Sequence, residues 1–342
     1  MIRARGIFPY VVAFVVIAIV TEFLIIRTVV AEPRDKFILA HGMPATHIFE
    51  PASQIFMASL KALDGPQVEY HPSGTLGDWV LIFEQVALGA IPMSLTFSAS
   101  DIDPRLNLAY LAYIVVDWDS AYQLFGPEGM LIDIYDGILA DNGVVMLGII
   151  PSGFASIATR KGVNSVPVNF PSDGKGLKIR VPNVPIAVQR FETWGFSPLP
   201  ISYSELHIAL QLGAVDARSF APPAEILQMK DVIGAYILTR DYFEFAFWTA
   251  NRKWWDGLDE LDRQRIQAAV NDSVVWSWKN AKKIELRQLQ EIKAAGIAVV
   301  ELTDDQMDTA KSLLMESEWN WVEKKVGSDL LNSVRAAIKR ID

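Results

Sequence analysis

The chain has 342 residues, of which 51% are apolar and 21% charged; its net charge is −9 and it has no cysteine. That length allows two domains with separate cores. An acidic balance without a basic stripe argues against a nucleic-acid partner, and the lack of cysteine excludes disulfides, thiolate metal sites, a cysteine nucleophile and a cysteine-type lipid anchor.

Arg3 and Arg5 precede an apolar run from Ile7 to Val20, followed by Thr21-Glu22 and then Phe23 to Ala31, broken by Arg27. Basic residues, a hydrophobic segment and the small Ala31 describe an export signal over residues 1–31, cleaved after Ala31. An uncleaved membrane anchor is the alternative, and Glu22 and Arg27 make it costly. No other segment is apolar enough to span, so the mature protein is expected outside the cytoplasm, in the periplasm.

Lys36 to Ala40 reads as a strand entering the loop His41-Gly42-Met43-Pro44. Helical spacing follows from Phe49 to Leu63, then a strand over Val68–His71 and a turn at Pro72-Ser73-Gly74. Asp78 to Leu88 is predicted helical and closed by Gly89. Ile91 to Phe97 is a strand ending at Ser98-Ala99-Ser100-Asp101. Tyr122 to Ala140 is helical in parts and Val144 to Ile150 is a buried strand. Pro151-Ser152-Gly153-Phe154 reads as a break where the chain crosses to a second lobe, with a short strand, Ala155 to Arg160, beyond it.

From Gly174 to Pro223 strand and helix alternate. Lys178–Val181 is a strand, and Val184–Trp194 a helix with Pro185 in its first turn and Gly195 at its end. Pro198–Ile201 is extended, Ser204 caps a helix that stops at Gly213, and Ala214–Ala217 returns to strand. Such alternation makes a parallel sheet with covered faces, in which ligands sit beyond the carboxyl ends of the strands. Arg180, Asn183, Asp216 and Arg218 fall at strand ends on this reading. The segments EQVALGAIPM (residues 84–93) and ALQLGAVDA (residues 209–217) both close a helix with Leu-Gly-Ala and pass at once into a strand. Two similar α/β lobes show such an echo.

Beyond Pro223, Ala224–Met229 is a short helix, and Ala235–Arg240 and Phe243–Ala250 are aromatic strands returning between the lobes. Helical pattern then runs from Gly257 to Ala295, which at 1.5 Å per residue is about 58 Å. One small lobe cannot use that length, so the helix is expected to bridge both. Ile297–Glu301 is a last strand, and Asp305–Ile341 gives amphipathic helices with Trp319 and Trp321.

No nucleotide, nucleophile-elbow or zinc-protease motif is present, and Gly174-Lys175-Gly176 lacks the spacing of a phosphate loop. His41, His47, His71 and His207 are scattered, so no metal and no cofactor is expected. Asp101 and Asp103 lie on a loop, where solvation is the simpler expectation than acid–base chemistry. Arg180 stands out. A guanidinium pairs a carboxylate through two charge-assisted bonds, and at the end of an interior strand it needs a partner. Spacing alone leaves open an internal bridge to Asp216 or Glu205 and a ligand carboxylate.

The segment LKIRVPN followed by SPLPISYSELHIALQLGAVDA resembles the substrate-binding proteins of TRAP (tripartite ATP-independent periplasmic) transporters, best over residues 174–217 and loosely from Phe37 to Glu301. The resemblance implies an α/β, two-lobed periplasmic-binding-protein-like fold with hinge strands and a long bridging helix. Lobe 1 is expected over 34–153 plus 245–285. Lobe 2 takes 154–244 plus 286–342 with the C-terminal helices. It further implies that Arg180 grips the carboxylate of a small organic anion, and that the loaded protein, a monomer and not an enzyme, delivers it to TRAP-type membrane permease subunits.

Departures from the family pattern shape the expected site. Gly153-Phe154-Ala155 puts alanine where a second arginine is common, and Asp216-Ala217-Arg218-Ser219-Phe220 replaces Asp-Gly-Gln-Glu-Asn, with Phe220 in place of a contacting asparagine. Ala99 removes a polar group at a strand end. The site is therefore expected to be less polar than usual and to suit a monocarboxylate with an apolar or aromatic body. Arg218 either replaces the missing arginine or faces solvent. Tyr203 matches a pocket-lining aromatic position. Asn183, Asp216, His41, Ser98 and Trp248 complete the expected contacts. A membrane-anchored sensor of the same fold and an exported hydrolase using Asp101 and Asp103 are the alternatives.

Overall fold

The computed structural model describes residues 36–341; the expected leader or anchor lies outside them. Among the described residues, no helix is long and apolar enough to cross a membrane. Four short strands were expected where the structure has two long ones. β4 (Val144–Arg160) and β8 (Ile233–Asn251) run antiparallel along each other and carry the rest of the sheet. β1 (Phe37–Ala40), β2 (Val68–His71) and β3 (Met93–Thr96) build onto the C-terminal half of β8, in the order β2-β1-β3-β8. β5 (Lys178–Val181), β6 (Ser197–Pro200) and β7 (Ala217–Ala221) build onto the C-terminal half of β4, in the order β4-β7-β5-β6. β9 (Ala298–Val300) joins the N-terminal half of β8. Two α/β lobes thus share one strand pair.

The expected break at Pro151-Ser152-Gly153-Phe154 is a set of bulges inside β4. Pairing with β8 shifts register between Pro151 and Gly153 and again between Ala155 and Ile157. Gly153 has φ +118, which a side chain would oppose, and it sits opposite Glu244. Bulges bend and twist a strand pair without ending it, so two prolines or glycines in the sequence need not stop a strand.

Helix ends follow the side chains that close them. Asp78 accepts from the Leu81 N–H, and Gly89 (φ 82) ends that helix, Trp79–Leu88. Asp259 accepts from the Asp262 N–H and starts the long helix, Glu260–Ala294. Thirty-five residues give about 52 Å. This helix packs on both halves: Ser273 Oγ donates to the Ala52 carbonyl in the helix Phe49–Ala62 and Trp278 Nε1 to the Ile149 carbonyl of β4, while Ile292 near its other end is buried with Leu206, Leu210 and Ile226 of the second half. Further along, Glu285 accepts from Trp118 Nε1 at 2.7 Å and from the Phe154 N–H at 3.0 Å.

A buried ionic cluster ties the C-terminal helices to the sheet. Arg190, fully buried in the helix Pro185–Thr193, pairs with Asp241 of β8 (2.9 Å) and with Glu318 (2.7 Å), the first residue of the helix Glu318–Val326. It also donates to the Tyr110 carbonyl, while Glu318 accepts from the Ala112 N–H. One guanidinium therefore holds four separate segments.

Candidate ligand-binding site

Parallel strands leave their carboxyl ends free for ligands, and here both sets of them, β2-β1-β3 and β7-β5-β6, end at one cavity. From the first lobe come Met43 after β1, Trp79, Phe97 after β3, and Tyr110. The second lobe supplies Arg180 and Pro182 at the end of β5, Tyr203, Arg218 and Phe220 of β7, and Glu225. Tyr242 and Glu244 of the shared strand β8 close it. The space is small: the centre of a water-sized sphere can move through about 40 Å³, against roughly 10–15 Å³ needed for one water.

Arg180 is 3% exposed. Its Nε donates to the Ile201 carbonyl at 2.8 Å, and among the described residues no carboxylate lies within ion-pair distance of it. Asp216 instead meets Arg160 at 3.4 Å and the Lys178 N–H at 3.1 Å, while Glu205 accepts from Ser202. Neither internal bridge weighed for Arg180 exists. Burial, and then the charge of Arg218, push the Arg180 guanidinium down to about 9, so it remains a cation at neutral pH.

Arg218 does not face solvent: it is fully buried. Its Nη2 donates to Glu225 and, at 3.2 Å, to the Phe220 carbonyl. Burial pulls its pKa down, but Glu225 and Tyr203 more than restore it. Glu244 is 5% exposed, and burial pushes its carboxyl up to about 8. The fully buried His47 is pushed down to about 4 by burial, so its ring is neutral. Its Nδ1 accepts from the Phe49 N–H at 3.4 Å, which leaves the hydrogen on Nε2, 3.2 Å from Glu244 Oε1. With Glu225 set against Arg218, Arg180 is the cation of this group that has no carboxylate of its own among the described residues.

Phe220 has φ 49, a left-handed conformation costly for a side chain. Its ring is held by stacking on Tyr242 (4.8 Å) and Tyr110 (6.1 Å), with the Arg190 guanidinium 4.9 Å from its centre. Tyr203 turns its ring towards Arg218, 6.0 Å away, and donates its hydroxyl to Gln228 at 2.8 Å.

Arg180, Tyr203, Arg218 and Phe220 are thus brought together at the cavity, and five expected contacts are not. Asn183 is exposed and borders a surface hollow with Val188 and Trp321. Asp216 precedes β7, because the chain spends Ala214-Val215-Asp216 on a connector and the strand starts three residues later than expected. Trp248 is fully buried beside Phe56, paired with Leu95 of β3. Ser98 is buried and donates to the Leu106 carbonyl at 3.2 Å. His41, fully buried, takes the Met43 N–H on Nδ1 and meets Tyr70 at 2.7 Å, which donates on to Glu50. Asp103 caps the short helix Pro104–Tyr110 and forks onto Arg105, a structural use of that residue.

Glu225 and Glu244 were missed. Glu244 was visible as a lone acid within the apolar run Phe243–Ala250, a place where a charge needs a partner. Glu225 lies two residues after Pro223, on a helix that turns it back over β7. With His47 they form a cluster whose ligand atoms lie within 4.8 Å of one another. Glu225 is engaged by Arg218 and Glu244 by the His47 N–H, so these lone pairs serve hydrogen bonds.

Comparison with known proteins gives this geometry its family. Residues 41–324 match the model of bacterial extracellular solute-binding protein, family 7, and the chain belongs to that family. It is a periplasmic substrate-binding protein of a TRAP transporter, and not an enzyme. The ectoine/5-hydroxyectoine-binding periplasmic protein UehA of Ruegeria pomeroyi is 26% identical over 299 residues, covering 83% of this chain and 85% of that protein. The ectoine-binding periplasmic protein TeaA of Halomonas elongata is 23% identical over 318 residues, 90% of this chain and 91% of that one. The sugar acid binding protein of Advenella mimigardefordensis, solved with galactonate, superposes with a TM-score of 0.83 at 19% identity, over 90% of this chain and 99% of that chain.

Proposed function

We propose that this protein captures a small monocarboxylate with an apolar or aromatic body and delivers it to a TRAP-type permease. The observation that supports this is Arg180, a buried guanidinium at the cavity with its Nη groups unclaimed by any carboxylate among the described residues. A buried charge without a partner is costly, and a ligand carboxylate removes that cost. With Arg218 neutralised by Glu225, one positive charge favours a monoanion over a dianion. The walls Trp79, Phe97, Tyr110, Tyr203, Phe220 and Tyr242 would pack the body of the ligand. Among neighbours of the same fold, one was solved with (S)-2-acetolactate and one has density assigned to pantoate, both small monocarboxylates.

Binding closes the lobes, 34–153 plus 245–285 against 154–244 plus 286–342, by bending β4 and β8 at their bulges. The closed form is then what the permease distinguishes from the empty one. A thermal-shift screen of short and aromatic monocarboxylates, dicarboxylates and ectoine tests the reading. Stabilisation by dicarboxylates alone contradicts it.

A further inference from the structure

We infer that Glu244 is a second ligand-binding residue that works in its protonated form, donating a hydrogen bond to the anion held by Arg180, so that this protein binds a monoanion together with a proton. The inference rests on the Arg180 reading above and adds the partner across the cavity.

The geometry narrows where that proton can be, with the Ser152 hydroxyl as a further polar neighbour of the carboxyl. Glu244 comes from β8, the strand shared by both lobes, and sits opposite the Gly153 bulge of β4. One oxygen, Oε1, accepts from the His47 Nε2–H, whose tautomer is set by the Phe49 N–H on Nδ1. His47 is therefore a donor and cannot take a proton from Glu244 without losing that backbone bond. Glu225 lies on the other side, within 4.8 Å, and is already the acceptor for Arg218. Two buried carboxyls this close do not both ionise beside a single paired guanidinium. Burial pushes both carboxyls up, but Glu225 has the Arg218 guanidinium drawing it back down, so the proton falls to Glu244, which is pushed to about 8.

The remaining titratable neighbours do not alter this. Tyr110, Tyr203 and Tyr242 are phenols pushed upward by burial and stay neutral. Arg180 stays a cation below about 9. A protonated carboxyl is a donor lining the same cavity as a free guanidinium, which suits an anion. Were Glu244 ionised, the four charges Arg180, Arg218, Glu225 and Glu244 would cancel, and the site would suit a zwitterion.

Calorimetry separates these. Acetate, pantoate, galactonate and ectoine are titrated into the whole mature protein at pH 8, in buffers that differ in ionisation enthalpy, to count protons exchanged. With Glu244 partly ionised at pH 8 in the empty protein, net proton uptake on binding acetate or pantoate is expected. Glu244→Gln, which can still donate, is expected to bind the same acids with most of that uptake lost. Glu244→Ala is expected to weaken binding at least tenfold. Proton release, or uptake unchanged in Glu244→Gln, overturns the inference. So does failure of all four probes at millimolar concentration. If Arg180→Ala binds as wild type does, it is the monocarboxylate reading itself that fails.

Discussion

Arg180 and Arg218 are register partners on the parallel strands β5 and β7, yet only Arg218 has a carboxylate of its own, Glu225. Two guanidiniums side by side repel, and each lowers the cost of an anion placed between them. The fold neutralises one and leaves the other free.

That asymmetry predicts unequal consequences for stability. Arg218→Met strands a buried Glu225 and is expected to cost about 3–5 kcal/mol. The double variant Arg218→Met/Glu225→Leu is expected to recover most of it, because no buried charge is left alone. Denaturant unfolding of the two singles and the double checks this. Additive losses would contradict the pairing.

The Arg190 cluster carries a second prediction. Glu318→Ala removes one of Arg190's two carboxylates and the acceptor of the Ala112 N–H, and is expected to cost about 1.5–3 kcal/mol. Because Arg190 also stands over the Phe220 ring, ligand affinity should fall as well. Equal binding by a folded Glu318→Ala protein would show that the cluster supports the fold but not the cavity.

Much of this was legible in the sequence. Val68–His71 and Lys178–Val181 stand where alternation put them, since short strands bounded by proline or turn residues leave little choice. The long helix, expected over 257–295, runs over Glu260–Ala294, since a sustained helical pattern of that length leaves little choice but its ends. What failed was long-range. Pro151 and Gly153 look like a break, and only the partner strand β8 shows that bulges absorb them. Trp248 and Ser98 fit a ligand-facing role as well as a core one, and nothing local distinguishes these. Which carboxylate meets which arginine is decided by chain segments far apart, as with Glu318 and Arg190, 128 residues away.

Helix capping gives a simple local check. Asp259→Ala leaves the Asp262 N–H without its acceptor and is expected to lower stability by about 1 kcal/mol, with ligand affinity untouched. A loss above about 3 kcal/mol would mean that Asp259 does more than start the helix.

Stability should pass through a maximum as pH is varied. His41 and His47 are each lowered to about 4, so the unfolded chain takes up protons first and stability drops as pH falls from about 6.5 to 4. Glu244 acts in the other direction. Its folded pKa is raised to about 8, so its contribution is complete below about 4.5 and fades as pH rises to 8. The stability of wild type relative to Glu244→Gln is therefore expected to fall by about 1.4 kcal/mol per pH unit across that window. A flat difference would show that Glu244 titrates normally.

The most direct test is thermal unfolding of Arg180→Ala beside wild type, with and without a monocarboxylate that stabilises the wild type. Saturation at about a hundred times Kd should add about 2.7 kcal/mol to the wild type. The variant is expected to unfold no earlier than wild type when empty, having lost an unpaired buried charge, and to gain nothing from the acid. Equal stabilisation of both proteins would contradict the role given to Arg180.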